Sequence, residues 1–80
     1  MFDRNENLIK LGTVVEFYDP WDEKISLGKV IDYNFDAETV YLQRMPRRSK
    51  VPANIERSPI SCRVLEDEEI TMFWLKNSHG

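Results

Sequence analysis

The chain has 80 residues, of which 41% are hydrophobic and 31% are charged, and its formal net charge is −3 at pH 7. This length predicts a single domain over residues 1–80, because two separate cores would each be too small to bury their apolar side chains. The nine aromatic residues argue against intrinsic disorder, since they supply large apolar groups for a core.

Cysteine and histidine are too scarce for several kinds of site. Cys62 is the one cysteine and His79 the one histidine, so side chains can assemble neither an internal disulfide nor a Cys/His zinc site. The first residues lack the basic and apolar stretches of a signal peptide, and no apolar run approaches the roughly 20 residues that cross a bilayer. We therefore expect a cytoplasmic protein without membrane contact, metal or cofactor.

Charge is unevenly distributed along the chain. Residues 44–63 contain six basic side chains and one acidic side chain, whereas the segments on both sides of them are acidic. Such polarity influences association with a partner more than it determines the fold.

The first third of the chain predicts an arm, a strand and a turn, in that order. Residues 1–10 are expected to form a flexible N-terminal arm, because their start is polar. Residues 13–18 are rich in β-branched and aromatic side chains, which favours a strand. Residues 19–22 read Asp-Pro-Trp-Asp, and Asp and Pro favour the first two positions of a type I turn.

Two runs of alternating apolar and polar residues follow. They predict a β-hairpin over residues 28–43 that turns at residues 36–38. In the first run Ile31, Tyr33 and Phe35 recur with period two, so we expect them to share one face.

The remaining segments predict shorter elements. Pro46 and Pro52 bracket a basic connection that cannot lie within a central strand. Short apolar pieces between residues 51 and 65 suit edge strands or one helical turn. Residues 66–77 begin with four acids and end near a lysine, which complements a helix dipole and favours a C-terminal helix. The β-branched and aromatic residues within this segment leave a final strand as the alternative.

The predicted core combines the apolar faces of these elements. Its expected members are Val15, Phe17, Ile31, Leu42 and Trp74. Cys62 lies in an apolar run, and a free cysteine in that setting is usually a small core residue and not a reactive thiol.

Four features follow one another between residues 11 and 60. They are a first strand that begins with glycine, a loop with an aromatic residue, a long strand that opens with Gly-Lys-Val, and a tight hairpin. The residues are Gly12-Thr-Val-Val15, Trp21, Gly28-Lys-Val-Ile-Asp-Tyr33, Thr39-Val-Tyr-Leu42 and Asn54-Ile-Glu-Arg-Ser-Pro-Ile60. This order resembles the small barrels of the Src-homology-3 (SH3) type, which include Tudor domains and KOW modules. The chain departs from the Tudor pattern in its C-terminal segment and in its Arg-rich connection.

The resemblance implies an all-β domain with one terminal helix. A five-stranded SH3-like barrel would occupy residues 11–65, and a C-terminal helix would occupy residues 66–77.

Tyr18, Trp21, Asp22 and Tyr41 form the predicted partner-binding set. In the Tudor-type barrels that the chain resembles, rings at corresponding loops hold a cation by the attraction of ring faces for positive charge. Three interpretations stay open: a methyl-ammonium cage, an aromatic patch for a protein partner, and simple packing. Trp21 is the hardest of these residues to explain as core, because it follows proline in a turn.

Arg44, Arg47, Arg48 and Lys50 form a basic stretch suited to contacts with phosphate or with an acidic protein surface. KOW modules often present loops to RNA, so the resemblance implies RNA or ribosome binding through residues 44–50 as an alternative function. The stretch contains no aromatic residue for base stacking, and the whole chain is acidic, which favours a protein surface or solvent. The acids of residues 66–69 allow two interpretations, a helix start and an attractant for a basic partner.

The sequence favours binding over catalysis. No Gly-rich phosphate loop is present, and the one histidine lies near the C-terminal end, in a segment that we expect to be too loose to hold a base beside a nucleophile. The leading hypothesis is a non-catalytic protein-interaction module, an adaptor or an inhibitor of the kind that phages and mobile elements encode. It would engage a partner protein through its loop aromatics and its uneven charge.

Overall fold

The computed structural model describes residues 1–45 and 50–77, which form an antiparallel sheet and one helix. The elements are β1 (Val14–Asp19), β2 (Lys24–Asn34), β3 (Thr39–Met45), β4 (Asn54–Arg57), β5 (Cys62–Val64) and α1 (Asp67–Asn77). The strand order in the sheet is β4-β3-β2-β1-β5, and a single 3-10 turn at Pro59–Ser61 leads into β5. The prediction of a β fold with a terminal helix is confirmed, whereas the sheet is open and not closed into a barrel.

β2 and β3 form the predicted hairpin. Their pairing runs from Leu27 opposite Met45 to Asn34 opposite Thr39, and residues 35–38 turn between them. The side-chain Oδ1 of Asn34 accepts the N–H of Ala37 at 3.1 Å, which holds the start of the turn. This hairpin lies where the alternating sequence pattern places it.

A β-bulge in β2 changes which residues face the core. The register with β3 shifts between Val30 and Asp32, so Ile31 is the extra residue. Val30 is 1% exposed whereas Ile31 is 40% exposed. The prediction that Ile31 belongs to the core is wrong, because strict alternation does not continue through a bulge. Tyr33 lies beyond the bulge and packs against the core.

The core lies on one face of the sheet. Its buried members are Ile9, Val15, Phe17, Val30, Val40, Leu42 and Cys62. The predictions for Val15, Phe17 and Leu42 are confirmed. Burial raises the pKa of the Cys62 thiol to about 11, so this cysteine is a core residue and a poor nucleophile at neutral pH. Trp74, by contrast, lies on α1 away from this core and is partly exposed, so its assignment to the core is wrong.

Gly28 permits the close approach of two core residues. A Cβ at this position would lie 3.0 Å from Leu42 Cβ and 3.0 Å from Phe17 Cε1. A side chain here would therefore displace one of the two, and glycine allows β1 and β3 to pack tightly across β2.

The first residues fold back onto the sheet and do not form the loose arm expected from the sequence. Phe2 and Leu8 pair in an isolated antiparallel bridge, and Ile9 belongs to the core. The Tyr33 hydroxyl donates to the backbone oxygen of Ile9 at 2.7 Å. The N–H of Arg4 donates to the backbone oxygen of Cys62 at 3.2 Å, so this segment also covers part of the outer edge of β5.

The carboxylate of Asp3 organises this N-terminal segment. Its Oδ1 accepts the N–H groups of Asn5 and Asn7 at 2.9 and 2.8 Å, and its Oδ2 accepts the N–H of Val64 at 2.7 Å. Desolvation by burial would raise the pKa of Asp3, but the N–H donors of Val64, Asn7 and Asn5 together outweigh it and hold the pKa below its ordinary value. The ionised form of Asp3 therefore stabilises the fold.

The bulge in β2 predicts that truncation of Val30 and truncation of Ile31 lower the free energy of unfolding by unequal amounts. Val30→Ala should lower the free energy of unfolding by about 2 kcal/mol, because it removes buried methyl groups. Ile31→Ala should cost less than about 1 kcal/mol, because much of that side chain already contacts water. Denaturant unfolding of both variants measures the difference. A larger loss for Ile31→Ala would contradict the faces assigned by the bulge.

The lowered pKa of Asp3 predicts that the folded protein loses part of its stability in acid. Because the folded-state pKa lies below the ordinary value of 3.8, its contribution is present above that pH and is lost as the pH falls through the folded-state pKa. Asp3→Asn should cost roughly 1–3 kcal/mol at pH 7, because the amide accepts fewer of the three N–H donors. Between pH 5 and about pH 2 the variant should lose less stability than the parent chain, as measured by thermal melting. Parallel losses in the two proteins would show that Asp3 is not a source of the acid sensitivity.

Candidate functional site

A buried ion pair fixes the end of the sheet at which the β1–β2 turn lies. Arg44 Nε donates to Asp19 Oδ2 at 2.7 Å, and Arg44 Nη2 donates to Asp19 Oδ1 at 3.0 Å. The two side chains are only 4% and 1% exposed. This two-point geometry is the strongest form of an arginine–carboxylate contact.

The same carboxylate shapes the turn that follows β1. Asp19 Oδ1 also accepts the N–H of Trp21 at 3.0 Å, and the backbone oxygen of Asp19 accepts the N–H of Asp22 at 3.2 Å. Glu23 completes the turn with a φ of 54°, in the left-handed region. The predicted turn is therefore present, and its bonds hold Trp21 at the tip.

Arg44 also binds the segment that enters β4. Its Nη1 donates to the backbone oxygen of Pro52 at 2.5 Å, and more weakly to that of Asn54 at 3.4 Å. The sequence placed Arg44 in a basic contact surface, but its guanidinium is buried and engaged by these partners, so that assignment is wrong. Arg47 and Arg48 lie outside the described residues, and Lys50 is exposed.

Apolar side chains lie exposed at this end of the sheet. Tyr18 and Ile25 stand directly opposite each other in the β1–β2 register, so their side chains share one face. Each is 45% exposed, and Trp21 at the turn is 59% exposed. We call Tyr18, Trp21, Asp22 and Ile25 the hairpin-end surface.

A cleft of about 290 Å³ adjoins this surface. Its apolar strand residues lie on the sheet face opposite the core, since Leu27 pairs with Glu16 on β1 and with Met45 on β3. The apolar residues that line it are Ile25, Leu27, Met45, Phe73 and Trp74, and the polar ones are Asp19, Asp22, Lys24, Ser26 and Arg44. Leu27 is fully buried at its floor. Ile25 belongs both to the cleft and to the hairpin-end surface, so the two are continuous.

An ionic bridge attaches α1 to this face of the sheet. Arg63 on β5 donates to Glu69 on α1 at 2.5 Å and to Glu16 on β1 at 3.2 Å. The hydrogen bond from Arg63 holds the pKa of Glu69 below its usual value. The helix predicted for residues 66–77 is confirmed, and it leaves Met72 and Leu75 largely exposed.

Tyr41 does not join the hairpin-end surface. It pairs with Asp32, seven positions along β2 from Ile25, which corresponds to a separation on the order of 20 Å. Its hydroxyl accepts a hydrogen bond from Asn34 Nδ2 at 3.3 Å, near the other end of the β2–β3 hairpin. The structure therefore brings Tyr18, Trp21 and Asp22 together without Tyr41, and these rings do not surround one cation as a cage requires.

The sequence-based reasoning missed Ile25, Phe73 and the Asp19–Arg44 pair as components of this end of the molecule. A signal for Arg44 was available, because it follows Val40 and Leu42 at period two and therefore faces inward. Ile70, Phe73 and Trp74 recur at helical spacing, which marks Phe73 as part of the face that α1 buries. Where that face meets the sheet depends on how α1 packs, which the spacing does not show.

The described residues contain no group of three or more His, Cys, Asp or Glu side chains that could hold a metal ion. Among the same residues, no helix is long and apolar enough to cross a membrane. Comparisons with protein-family models, with curated proteins and with solved structures gave no match to this chain.

The buried ion pair predicts that substitutions of Arg44 and Asp19 have strongly coupled effects on the free energy of unfolding. Arg44→Met should cost roughly 3–5 kcal/mol of unfolding free energy, because it leaves the Asp19 carboxylate buried without its cation. Adding Asp19→Asn should recover part of that loss, because the uncompensated charge disappears while a turn-forming amide remains. Urea unfolding of the parent chain, both single variants and the double variant measures the coupling.

Arg4→Met is the matched control, because Arg4 pairs with Glu16 at 3.3 Å but is nearly half exposed. It should cost less than about 1 kcal/mol. Additive losses for Arg44 and Asp19 would contradict the coupling.

Proposed function

We propose that this chain is a non-catalytic protein-interaction module that binds a partner protein through the hairpin-end surface and the cleft beside it. The observation that carries the proposal is the exposure of Tyr18, Trp21 and Ile25 on one rigidly held hairpin end. Tryptophan and tyrosine are enriched among the residues that contribute most binding energy at protein interfaces. An adaptor or an inhibitor, the roles expected from the sequence, would use such a surface.

The rigidity of the turn supports this function. Trp21 lies two residues from a carboxylate that is held by a buried arginine, so its backbone conformation is determined before any partner arrives. A preordered backbone loses less conformational entropy on binding, which improves affinity for the same contact area. The cleft next to Ile25 offers a partner side chain an apolar floor at Leu27.

The strand order is compatible with a small barrel of the SH3 type, as the sequence resemblance implies. β5 returns to pair with β1 after the 3-10 turn at Pro59–Ser61, so the two ends of the chain's β-rich part meet. This arrangement supports a compact scaffold that presents the ends of its hairpins for binding.

No observation on the described residues favours RNA binding over protein binding. Arg44 is occupied within the fold, which removes the first residue of the basic stretch from any phosphate contact. The hairpin-end surface, by contrast, is built from described residues.

Affinity capture from the source cell, followed by identification of bound proteins, tests the proposal. Trp21→Ala should weaken capture of the partner by a factor of about 30, which corresponds to a loss of roughly 2 kcal/mol. Its thermal melt should stay close to that of the parent chain, because Trp21 contributes little to the core.

Phe35→Ala is the matched control, since Phe35 is 72% exposed in the β2–β3 turn, at the opposite end of β2. It should retain the partner. Undiminished capture by Trp21→Ala would refute the proposal. Salt-sensitive capture of RNA in place of a protein would favour the alternative function.

A further inference from the structure

One side of α1 carries an acid, an apolar residue and a base in succession. Glu68, Met72 and Lys76 follow one another at intervals of four residues, so their side chains lie along one side of the helix over about 12 Å. Met72 is 58% exposed, and Glu68 and Lys76 are exposed as well. We call these three residues the helix stripe.

The two charges of the helix stripe are not used to attach α1 to the sheet. That attachment is the bridge from Arg63 to Glu69 and Glu16. Neither Glu68 nor Lys76 forms an ion pair within the part of the chain that the structure describes. A second cleft, of about 350 Å³, borders the stripe and reaches Glu16 and Arg63 on the sheet. The apolar centre of the stripe is therefore open to solvent and has one unpaired charge at each end.

The order of charges along the helix stripe is complementary to its own reverse. When a second copy of α1 is placed antiparallel about a two-fold axis near Met72, Glu68 of each chain stands opposite Lys76 of the other. The two Met72 side chains then meet at the axis. Such a two-fold contact uses the same surface on both chains. A parallel copy sets acid beside acid and base beside base, so the stripe favours the antiparallel orientation.

We propose that α1 is the interface of a homodimer in which the helix stripes of two copies pack antiparallel. Two ion pairs between Glu68 and Lys76 flank the apolar contact of Met72, and the cleft beside the stripe leaves room for side chains of the second helix. Antiparallel packing also sets the positive end of each helix dipole beside the negative end of the other.

The size of the contact predicts a reversible dimer. Two helices of 11 residues offer less contact area than the roughly 1,200 Å² that stable interfaces bury, so the dimer should dissociate readily. The helix stripe shares no residue with the hairpin-end surface or with the cleft beside that surface. The dimer is therefore independent of the proposed function.

Exchange of the two charges tests the proposal. Sedimentation equilibrium of the parent chain should show a monomer–dimer equilibrium at concentrations up to about 1 mM. Glu68→Lys alone and Lys76→Glu alone should each weaken self-association by a factor of about 10 or more, because both ion pairs of the homodimer become repulsive. An equimolar mixture of these two variants should dimerise again, since each contact then joins opposite charges.

Asp67→Lys is the matched control for charge, because it makes the same charge change at an exposed position in the first turn of α1 but outside the helix stripe. It should leave the dimer intact. Thermal melting of each variant checks that the fold is kept. A parent chain that stays monomeric at every concentration overturns the proposal, as does a mixture of the two stripe variants that associates no better than either variant alone.

The apolar centre of the stripe has a control of its own. Met72→Ala should weaken self-association severalfold, whereas Leu11→Ala, which truncates an equally exposed residue of the N-terminal segment, should not. Equal effects of these two truncations would also contradict the proposal. Trp21→Ala should keep the dimer, so failure of the partner-binding function and failure of this interface can be told apart.

Discussion

The buried pair of Asp19 and Arg44 is the constraint on which one end of this small protein depends. It joins the end of β1 to β3, and through the backbone oxygen of Pro52 it also holds the segment that enters β4. An ion pair this deeply buried contributes little net stability compared with an apolar replacement, but loss of one partner is costly because the other charge stays behind. The pair therefore specifies one conformation of the β1–β2 turn, and that conformation displays Trp21.

The second structural feature is that the sheet has apolar residues on both faces. The main core covers one face, whereas Leu27 is buried on the other, where it lines the same cleft as Phe73 of α1. The helix is joined to this face by the bridge from Arg63 to Glu69 and Glu16. Because α1 covers only part of the face, a cleft lies beside it and continues to Ile25 and the hairpin end. Partial coverage of an apolar face thus creates the surface that we assign to a partner.

The uneven charge of the sequence has an internal explanation for two of the six basic residues between positions 44 and 63. Arg44 and Arg63 are engaged by acids of the first strand, Asp19 and Glu16, so residues from the basic and acidic parts of the chain meet within the sheet. Arg57, by contrast, has a buried Nε that no acceptor among the described residues binds. At these two positions, charge that looks like a binding surface in the sequence joins strands within the sheet.

The sequence by itself determined the local elements: the alternation of β2 and β3, the Asp-Pro turn and the acidic start of α1 each depend on neighbouring residues alone. It also determined that Val15, Phe17 and Leu42 are core residues, because regular alternation carries a face along a strand. Only the tertiary structure decided the bulge that moves Ile31 outward, the return of residues 1–9 to β5, and the separation of Tyr41 from Tyr18 and Trp21. These features arise from pairing between residues far apart in the chain. A local pattern contains no information on which distant strand supplies the partner, or on where two strands fall out of register.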